Sequence, residues 1–261
     1  MALRTKLAAY FLDLMNGSSS HCWDGLVLGA LERASVLYRK GVEKKYRSYA
    51  DHPERQAWLD AVVISLGNIT VGGTGKTPAA CMLAQRLQRE GYRVALLNRG
   101  YRSQKEHDGA VMSDGRQVLL SAAEGGDEAC LMARSLPGIP VVIGRERQRS
   151  GQMAIEQFGS QVLLLDDGFQ HWQLHRDLDI VLVDATNPFG NGKVLPRGIL
   201  REPMEHLNRA GLFLITKCDQ ASREAIDAVY STLQAYNPDA PIAESVHRAK
   251  WCISFGDWNG M

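Results

Sequence analysis

The segment Gly72-Gly73-Thr74-Gly75-Lys76-Thr77 constrains this chain more than any other, because of what stands on either side of it. Ahead of it runs Ala61-Val62-Val63-Ile64-Ser65-Leu66, apolar at almost every position, the pattern of a strand buried on both faces. Behind it, Thr77 to Glu90 carries a helical pattern closed by Gly91. A strand, a glycine-rich turn and a helix in that order make a cradle for an anion. Glycines let the backbone curl so that successive N–H groups point inward, and the helix adds the positive end of its dipole. Lys76 is placed to reach the β- and γ-phosphates of a nucleotide, and the Thr77 hydroxyl to ligate Mg²⁺. The expected phosphate-binding backbone therefore runs through Thr70, Val71, Gly72, Gly73, Thr74, Gly75, Lys76 and Thr77. The strict form of the pattern has glycine at the position of Thr70.

The rest of the chain repeats the alternation of short apolar runs and helical stretches. Strands are predicted at Val94–Leu97, Pro140–Ile143, Val162–Leu165, Ile180–Val183 and Leu212–Ile215. Helices are predicted at Asp127–Leu136, Arg147–Phe158 and Ser222–Ala235. Strands apolar throughout and separated by helices imply a mostly parallel sheet covered on both faces, an α/β fold of the P-loop NTPase type.

The N-terminal quarter is different. Gly25 to Tyr49 reads as one long helix, with Val27, Ala30, Leu31, Ala34, Leu37, Tyr38 and Val42 at helical spacing. Its second half is basic, with Arg39, Lys40, Lys44, Lys45 and Arg47 against Glu43. Two readings stand: an amphipathic helix lying on an anionic membrane surface, or a helix packed on the domain with a solvated basic face. Asp51-His52-Pro53-Glu54-Arg55 is a polar break, so the chain divides into a helical region over 1–56 and a nucleotide-binding domain over 57–261.

Composition excludes several classes. The net charge of +1 gives no electrostatic argument for a nucleic-acid partner. Cys22, Cys81, Cys130, Cys218 and Cys252 are scattered, with no C-x-x-C pair, so reduced thiols are expected and a structural zinc site is not. Residues 1–17 lack the apolar core and cleavage pattern of a secretory signal, and no uncharged apolar run is long enough to span a bilayer.

A phosphate loop needs an acidic partner to hold the magnesium shell, and Leu163-Leu164-Leu165-Asp166-Asp167 supplies one at a strand's C-terminal end, where ligands bind in parallel sheets. Asn98-Arg99-Gly100-Tyr101 ends the second strand at the same edge. Gly126-Asp127-Glu128 opens a helix, and Leu200-Arg201-Glu202-Pro203 follows a loop rich in glycine and proline. Singly, each has a plain alternative: Arg99 as a surface ion pair, Asp127 as a helix cap, Glu202 as a first-turn carboxylate. Thr216-Lys217-Cys218-Asp219 faintly resembles the base-binding element of GTPases, and keeps open a P-loop ATPase or GTPase of an assembly or metal-insertion type.

Taken in order, Gly67-Asn68 through Thr77-Pro78, Arg99-Gly100-Tyr101, Gly126-Asp127-Glu128, Asp166-Asp167-Gly168-Phe169-Gln170-His171 and Leu200-Arg201-Glu202-Pro203 resemble the tetraacyldisaccharide 4′-kinase family. The Thr70 variant of the loop agrees with that family. The resemblance implies transfer of phosphate from ATP to the 4′-hydroxyl of an acylated disaccharide 1-phosphate in lipid A biosynthesis, at the cytoplasmic face of the inner membrane. It implies Asp127 as the base and Thr77, Asp166 and Glu202 as holders of Mg²⁺. Arg99, Asp167 and His171 are further site candidates. Family members usually continue further and carry a later Asp-His-His element; here His247, between Val246 and Arg248, is the only histidine after His206 and does not match. The expectation is a truncated chain or a short branch, with slower chemistry and surviving nucleotide binding.

Overall fold

The computed structural model describes Tyr10 and residues 23–246; the N-terminal stretch read for a signal, Cys22, Cys252 and His247 lie outside the described residues. Helix α1 (Asp24–Ala50) is followed by a 3-10 turn over the polar break. Then come β1 (Val62–Gly67), α2 (Lys76–Arg89), β2 (Val94–Asn98), β3 (Ala110–Ser113), α3 (Ala122–Gly125) and α4 (Asp127–Ser135). The remainder comprises β4 (Val141–Ile143), α5 (Arg147–Phe158), β5 (Val162–Asp166), β6 (Leu178–Asp184), β7 (Leu212–Thr216), α6 (Arg223–Tyr236) and β8 (Ile242–Glu244). Among the described residues no helix is long and apolar enough to cross a membrane.

The strands form one eight-stranded sheet in the order β3-β4-β2-β5-β1-β6-β7-β8. Every pairing is parallel except β3 against β4. The sequence patterning missed β3 and β8, the two edge strands, which are only four and three residues long. Alternation along the inner strands sends side chains to both faces. Leu96, Leu164 and Leu182 pack with Ala80, Ala84, Ala129 and Met132 of α2 and α4. Leu97, Leu163 and Leu165 pack with Ala154 of α5, while Val183, Phe213 and Ile215 pack with Ile226, Val229 and Leu233 of α6. A sheet covered by helices on both sides has only its strand ends open to ligand.

Register then brings particular residues to one edge. Leu66 pairs with Asp166 and Leu97 with Leu165, so Asn98, Asp166 and the loop after Gly67 emerge side by side. Asp184 pairs with Thr216 further along the same edge. Asn98, Asp166, Asp184 and Thr216 are all buried polar residues ending apolar strands. Gly67 is required where β1 leaves the sheet, because a Cβ there would lie 2.4 Å from Phe169 Cβ.

Helix α1 docks on this edge through polar contacts. Ser35 Oγ donates to Val194 O (3.0 Å) and accepts from Arg197 N (2.9 Å), and Tyr38 OH donates to Arg201 O (3.0 Å). The outward face keeps Leu26, Val36 and Leu37 exposed beside Arg33, Lys40, Lys44 and Arg47.

Candidate active site

The glycine-rich loop lies over the ends of β1, β6 and β7. Gly75 has φ 82°, a left-handed conformation that glycine adopts without a Cβ penalty, and this turns the chain into α2. Lys76 Nζ donates to Asn68 Oδ1 (3.1 Å) and lies 3.6 Å from Asp167 Oδ1. Asn68, wholly buried, also donates from Nδ2 to Thr70 Oγ1 (3.0 Å). The Thr70 hydroxyl is thus part of the scaffold that orients Lys76. The Val71 N–H is engaged by Ile199 O at 2.8 Å, so of the expected phosphate-binding backbone this N–H faces the neighbouring loop.

A cavity of about 440 Å³ opens beside Lys76, lined by Gly72, Lys76, Asn98, Arg99, Tyr101, Glu128, Asp166, Asp167 and Arg201. Within it the two adjacent aspartates are opposites. Asp166 is 3% exposed; its Oδ2 accepts from Asn98 Nδ2 (3.0 Å), and its Oδ1 is buried with no donor among the described residues. Burial, reinforced by the negative charges of Glu128 and Asp167, pushes its carboxyl up to about 7, against the pull of Lys76 and Asn98. Asp167 has positive φ (56°) and meets Arg201 Nη1 with both oxygens at 2.9 Å. Burial alone would raise Asp167, but Lys76 and Arg201 outweigh it and hold the carboxyl below its ordinary value.

A buried carboxylate with an unused oxygen suits a hard cation. The Thr77 hydroxyl and the Glu128 carboxylate stand nearby, 3.4 Å apart. Among the described residues no three His, Cys, Asp or Glu side chains converge, so a cation here would draw most of its ligands from phosphate oxygens and water.

Two expected residues are placed elsewhere. Asp127 opens α4 on the surface and lines neither this cavity nor the larger one described below. The next residue, Glu128, turned about 100° around the helix, faces the cavity instead. Glu202 is fully buried behind the site. Its carboxylate accepts from Gln170 Nε2 (2.6 Å) and Arg209 Nη2 (2.6 Å) and pairs with His206 Nδ1 (2.7 Å). Arg209 in turn lies over the Phe169 ring, 4.0 Å from its centroid. Gln170 Nε2 also donates to Asn68 O (2.9 Å), which links this knot to the strand end beneath the phosphate loop. Glu202 is thus not brought to the cavity with Asp166, while Thr77 reaches its edge through Glu128.

A second cavity, of about 760 Å³, adjoins the first under α1. Its walls include Tyr38, Val42, Val71, Trp172 and Leu195, and its charges are Lys45, Arg99, Arg145, Arg147 and Arg201 against the single carboxylate Asp167. Arg147, the first residue of α5, is buried and its Nε has no acceptor among the described residues. Burial draws its guanidinium down to about 10. His171 lines this cavity, and burial together with Arg147 and Arg176 pushes it down to about 3, so the ring is neutral. Arg99 pairs with Glu106 (2.7 Å) and borders both cavities, as do Asp167 and Arg201.

Sequence reasoning overlooked Asn68 and Asn98 as orienting side chains, and Arg147, which was read only as the start of a helix. Buried amides at strand ends are the signal that could have found the first two.

A family model described as LpxK, tetraacyldisaccharide-1-P 4′-kinase, matches residues 28–250. A tetraacyldisaccharide 4′-kinase of Halothermothrix orenii is 40% identical over 244 residues, covering 93% of this chain and 63% of that protein. One from Geobacter sulfurreducens is 45% identical over 210 residues, covering 80% and 60%. Among solved structures, the crystal structure of the "apo" form of LpxK from Aquifex aeolicus in complex with ATP superposes with a TM-score of 0.67. Its identity is 36%, covering 72% of this chain and 58% of that one. The chain spans about three fifths of the length of these relatives.

Proposed function

The chain belongs to the tetraacyldisaccharide 4′-kinase family, and from that premise we propose that it transfers the γ-phosphoryl group of ATP to the 4′-hydroxyl of an acylated disaccharide 1-phosphate. The carrying observation is that two cavities meet along one sheet edge: a phosphate loop with a buried carboxylate on one side, and a cationic, apolar-walled pocket on the other. Arg99, Asp167 and Arg201 belong to both. A donor and an acceptor bound there would face each other across these three residues. The A. aeolicus relative crystallised with ATP supports ATP as the donor.

In this reading the loop N–H groups and Lys76 hold the β- and γ-phosphates. Asp166 and Thr77, with Glu128 beside Thr77, are the residues that would hold Mg²⁺, which would supply positive charge to offset that of the phosphates. Glu202 contributes indirectly, by fixing Gln170 and through it Asn68. The acceptor oxygen forms a bond to Pγ as the bond from Pγ to the ADP oxygen breaks. The family resemblance implies Asp127, exposed at the start of α4 beside Glu128, as the base that takes the hydroxyl proton. The cations of the larger pocket suit the phosphate of the acceptor, and its apolar wall under α1 suits the beginning of acyl chains. The exposed face of α1, with Leu26 and Leu37 among Arg33, Lys40, Lys44 and Arg47, fits peripheral contact with an anionic membrane surface, at the cytoplasmic side of the inner membrane.

The test is transfer of label from γ-labelled ATP to tetraacyldisaccharide 1-phosphate in mixed micelles. Label should reach the lipid only with Mg²⁺ present. Asp127→Ala should lower the rate about 100-fold or more while leaving ATP affinity nearly intact. ATP hydrolysis indifferent to the lipid would refute the kinase reading; equal loss of binding and transfer would remove Asp127 as base.

A further inference from the structure

The ends of β6 and β7 reach under the glycine-rich loop and hold two of its carbonyls. Thr216 Oγ1 donates to Thr74 O (2.9 Å), and both groups lie in buried surroundings. Lys217 Nζ donates to Gly73 O (3.1 Å) and pairs with Asp184 Oδ2. Asp184 is itself fixed through Oδ1 by the Thr186 backbone N–H (2.9 Å) and hydroxyl (2.6 Å). Lys217 adopts φ 57° and ψ 34°, a left-handed conformation that L-residues rarely take, and the chain holds it just where the side chain must turn back to the loop.

The consequence follows from peptide geometry. In a planar trans peptide the C=O of one residue and the N–H of the next point in opposite directions. Holding Gly73 O and Thr74 O against the strand ends therefore directs the N–H groups of Thr74 and Gly75 away from them, toward the concave side of the loop. Neither N–H has a backbone acceptor among the described residues. An array of N–H groups aimed the same way is what receives phosphate oxygens.

We propose that Lys217 and Thr216, steered by Asp184, are positioning residues that fix the phosphate-receiving face of the loop before nucleotide arrives. Lys217 acts through the Gly73 carbonyl, with its charge offset by Asp184; it does not touch the phosphates. The Thr216-Lys217-Cys218-Asp219 element thereby has a role that is independent of which nucleobase is bound. The inference rests on the reading of the loop as a polyphosphate cradle and goes beyond the assignment of Lys76 and Thr77.

The experiment is calorimetric titration of the full 261-residue chain with MgADP and, separately, with inorganic tripolyphosphate, at a temperature where circular dichroism shows each variant folded. Lys217→Met should weaken both ligands about tenfold and Thr216→Val about threefold, with Lys217→Arg recovering part of the loss. A role in stability alone would lower the unfolding temperature with affinities unchanged, and that result overturns the proposal. So does weaker MgADP binding with unaltered tripolyphosphate binding, which would place Lys217 on the nucleoside. If Lys217→Met does not fold, Thr216→Val and Asp184→Asn decide the matter by the same two titrations. Failure of the unsubstituted chain to bind either ligand would refute the loop reading itself.

Discussion

The two flanks of the β5 end are built in opposite ways. On the phosphate-loop flank the lysine and the loop carbonyls are held by other parts of the protein. Asn68 holds Lys76, Ile199 O holds the Val71 N–H, and Thr216 and Lys217 hold the loop carbonyls. The cavity under α1 is lined by five cations and one carboxylate; Arg99 is paired with Glu106 and Arg201 with Asp167, and the buried Arg147 has no acceptor for its Nε among the described residues. A loop whose carbonyls and lysine are held in place is shaped in advance, and its free N–H donors need no reorganisation when phosphates bind. A concentration of like charge around apolar walls carries a desolvation and repulsion cost that an anionic ligand relieves. The difference teaches that the two cavities are prepared by different means: geometry on one side, an excess of positive charge on the other.

The largest expected effect comes from breaking the shaped flank at its charged centre. Lys76→Ala removes a lysine that lines the cavity, and phosphoryl transfer should fall about 1,000-fold in a single-turnover assay, equivalent to about 4 kcal/mol. The lipid affinity of the other flank should be unchanged.

A smaller effect concerns Asp166, the residue on the boundary. In the chain free of nucleotide and Mg²⁺, its carboxyl keeps a proton up to about pH 7, whereas the ordinary value is 3.8. Between those values the native state binds more protons than the unfolded chain, so this group costs stability progressively as pH rises. Asp166→Asn removes the dependence. Its stability relative to the unsubstituted chain should rise from pH 4 to pH 7 and level off above, by roughly 3–4 kcal/mol, in denaturant titrations at a series of pH values. A flat difference would contradict the burial of an ionisable Asp166 and weaken the case for a cation there.

The smallest concerns the wall of the charged flank. Tyr38→Phe deletes the hydroxyl that ties α1 to Arg201 O, and should cost about 1 kcal/mol in thermal unfolding, with nucleotide affinity unaltered.

Much of the shaped flank was legible in the sequence because its signals are local. Gly72 to Thr77 lies within a few residues of the strand and helix that give it meaning, and α5 was predicted with the bounds observed. The helix over 25–49 was likewise legible as an uninterrupted 3.6-residue pattern. What stayed hidden depends on convergence from distant segments. Glu202 reads as a free first-turn carboxylate until Gln170, His206 and Arg209 are seen to enclose it. Asp127 and Glu128 are chemically alike and adjacent, so only the phase of α4 separates the one at the surface from the one in the cavity. The charge imbalance under α1 joins residues from α1, the turn after β2, the β4–α5 turn, the start of α5 and the loop before β7, and no single stretch shows it.

The division of labour between the flanks is tested most directly by titrating MgADP and tetraacyldisaccharide 1-phosphate in micelles into three proteins: the unsubstituted chain, Lys76→Ala and Arg145→Ala. Arg145 is exposed at the rim of the charged cavity, so its removal should leave folding intact. The account predicts that Lys76→Ala weakens MgADP about tenfold or more and leaves lipid binding unchanged, and that Arg145→Ala weakens the lipid by about fivefold and leaves MgADP unchanged. Equal loss of both ligands in either variant would contradict it.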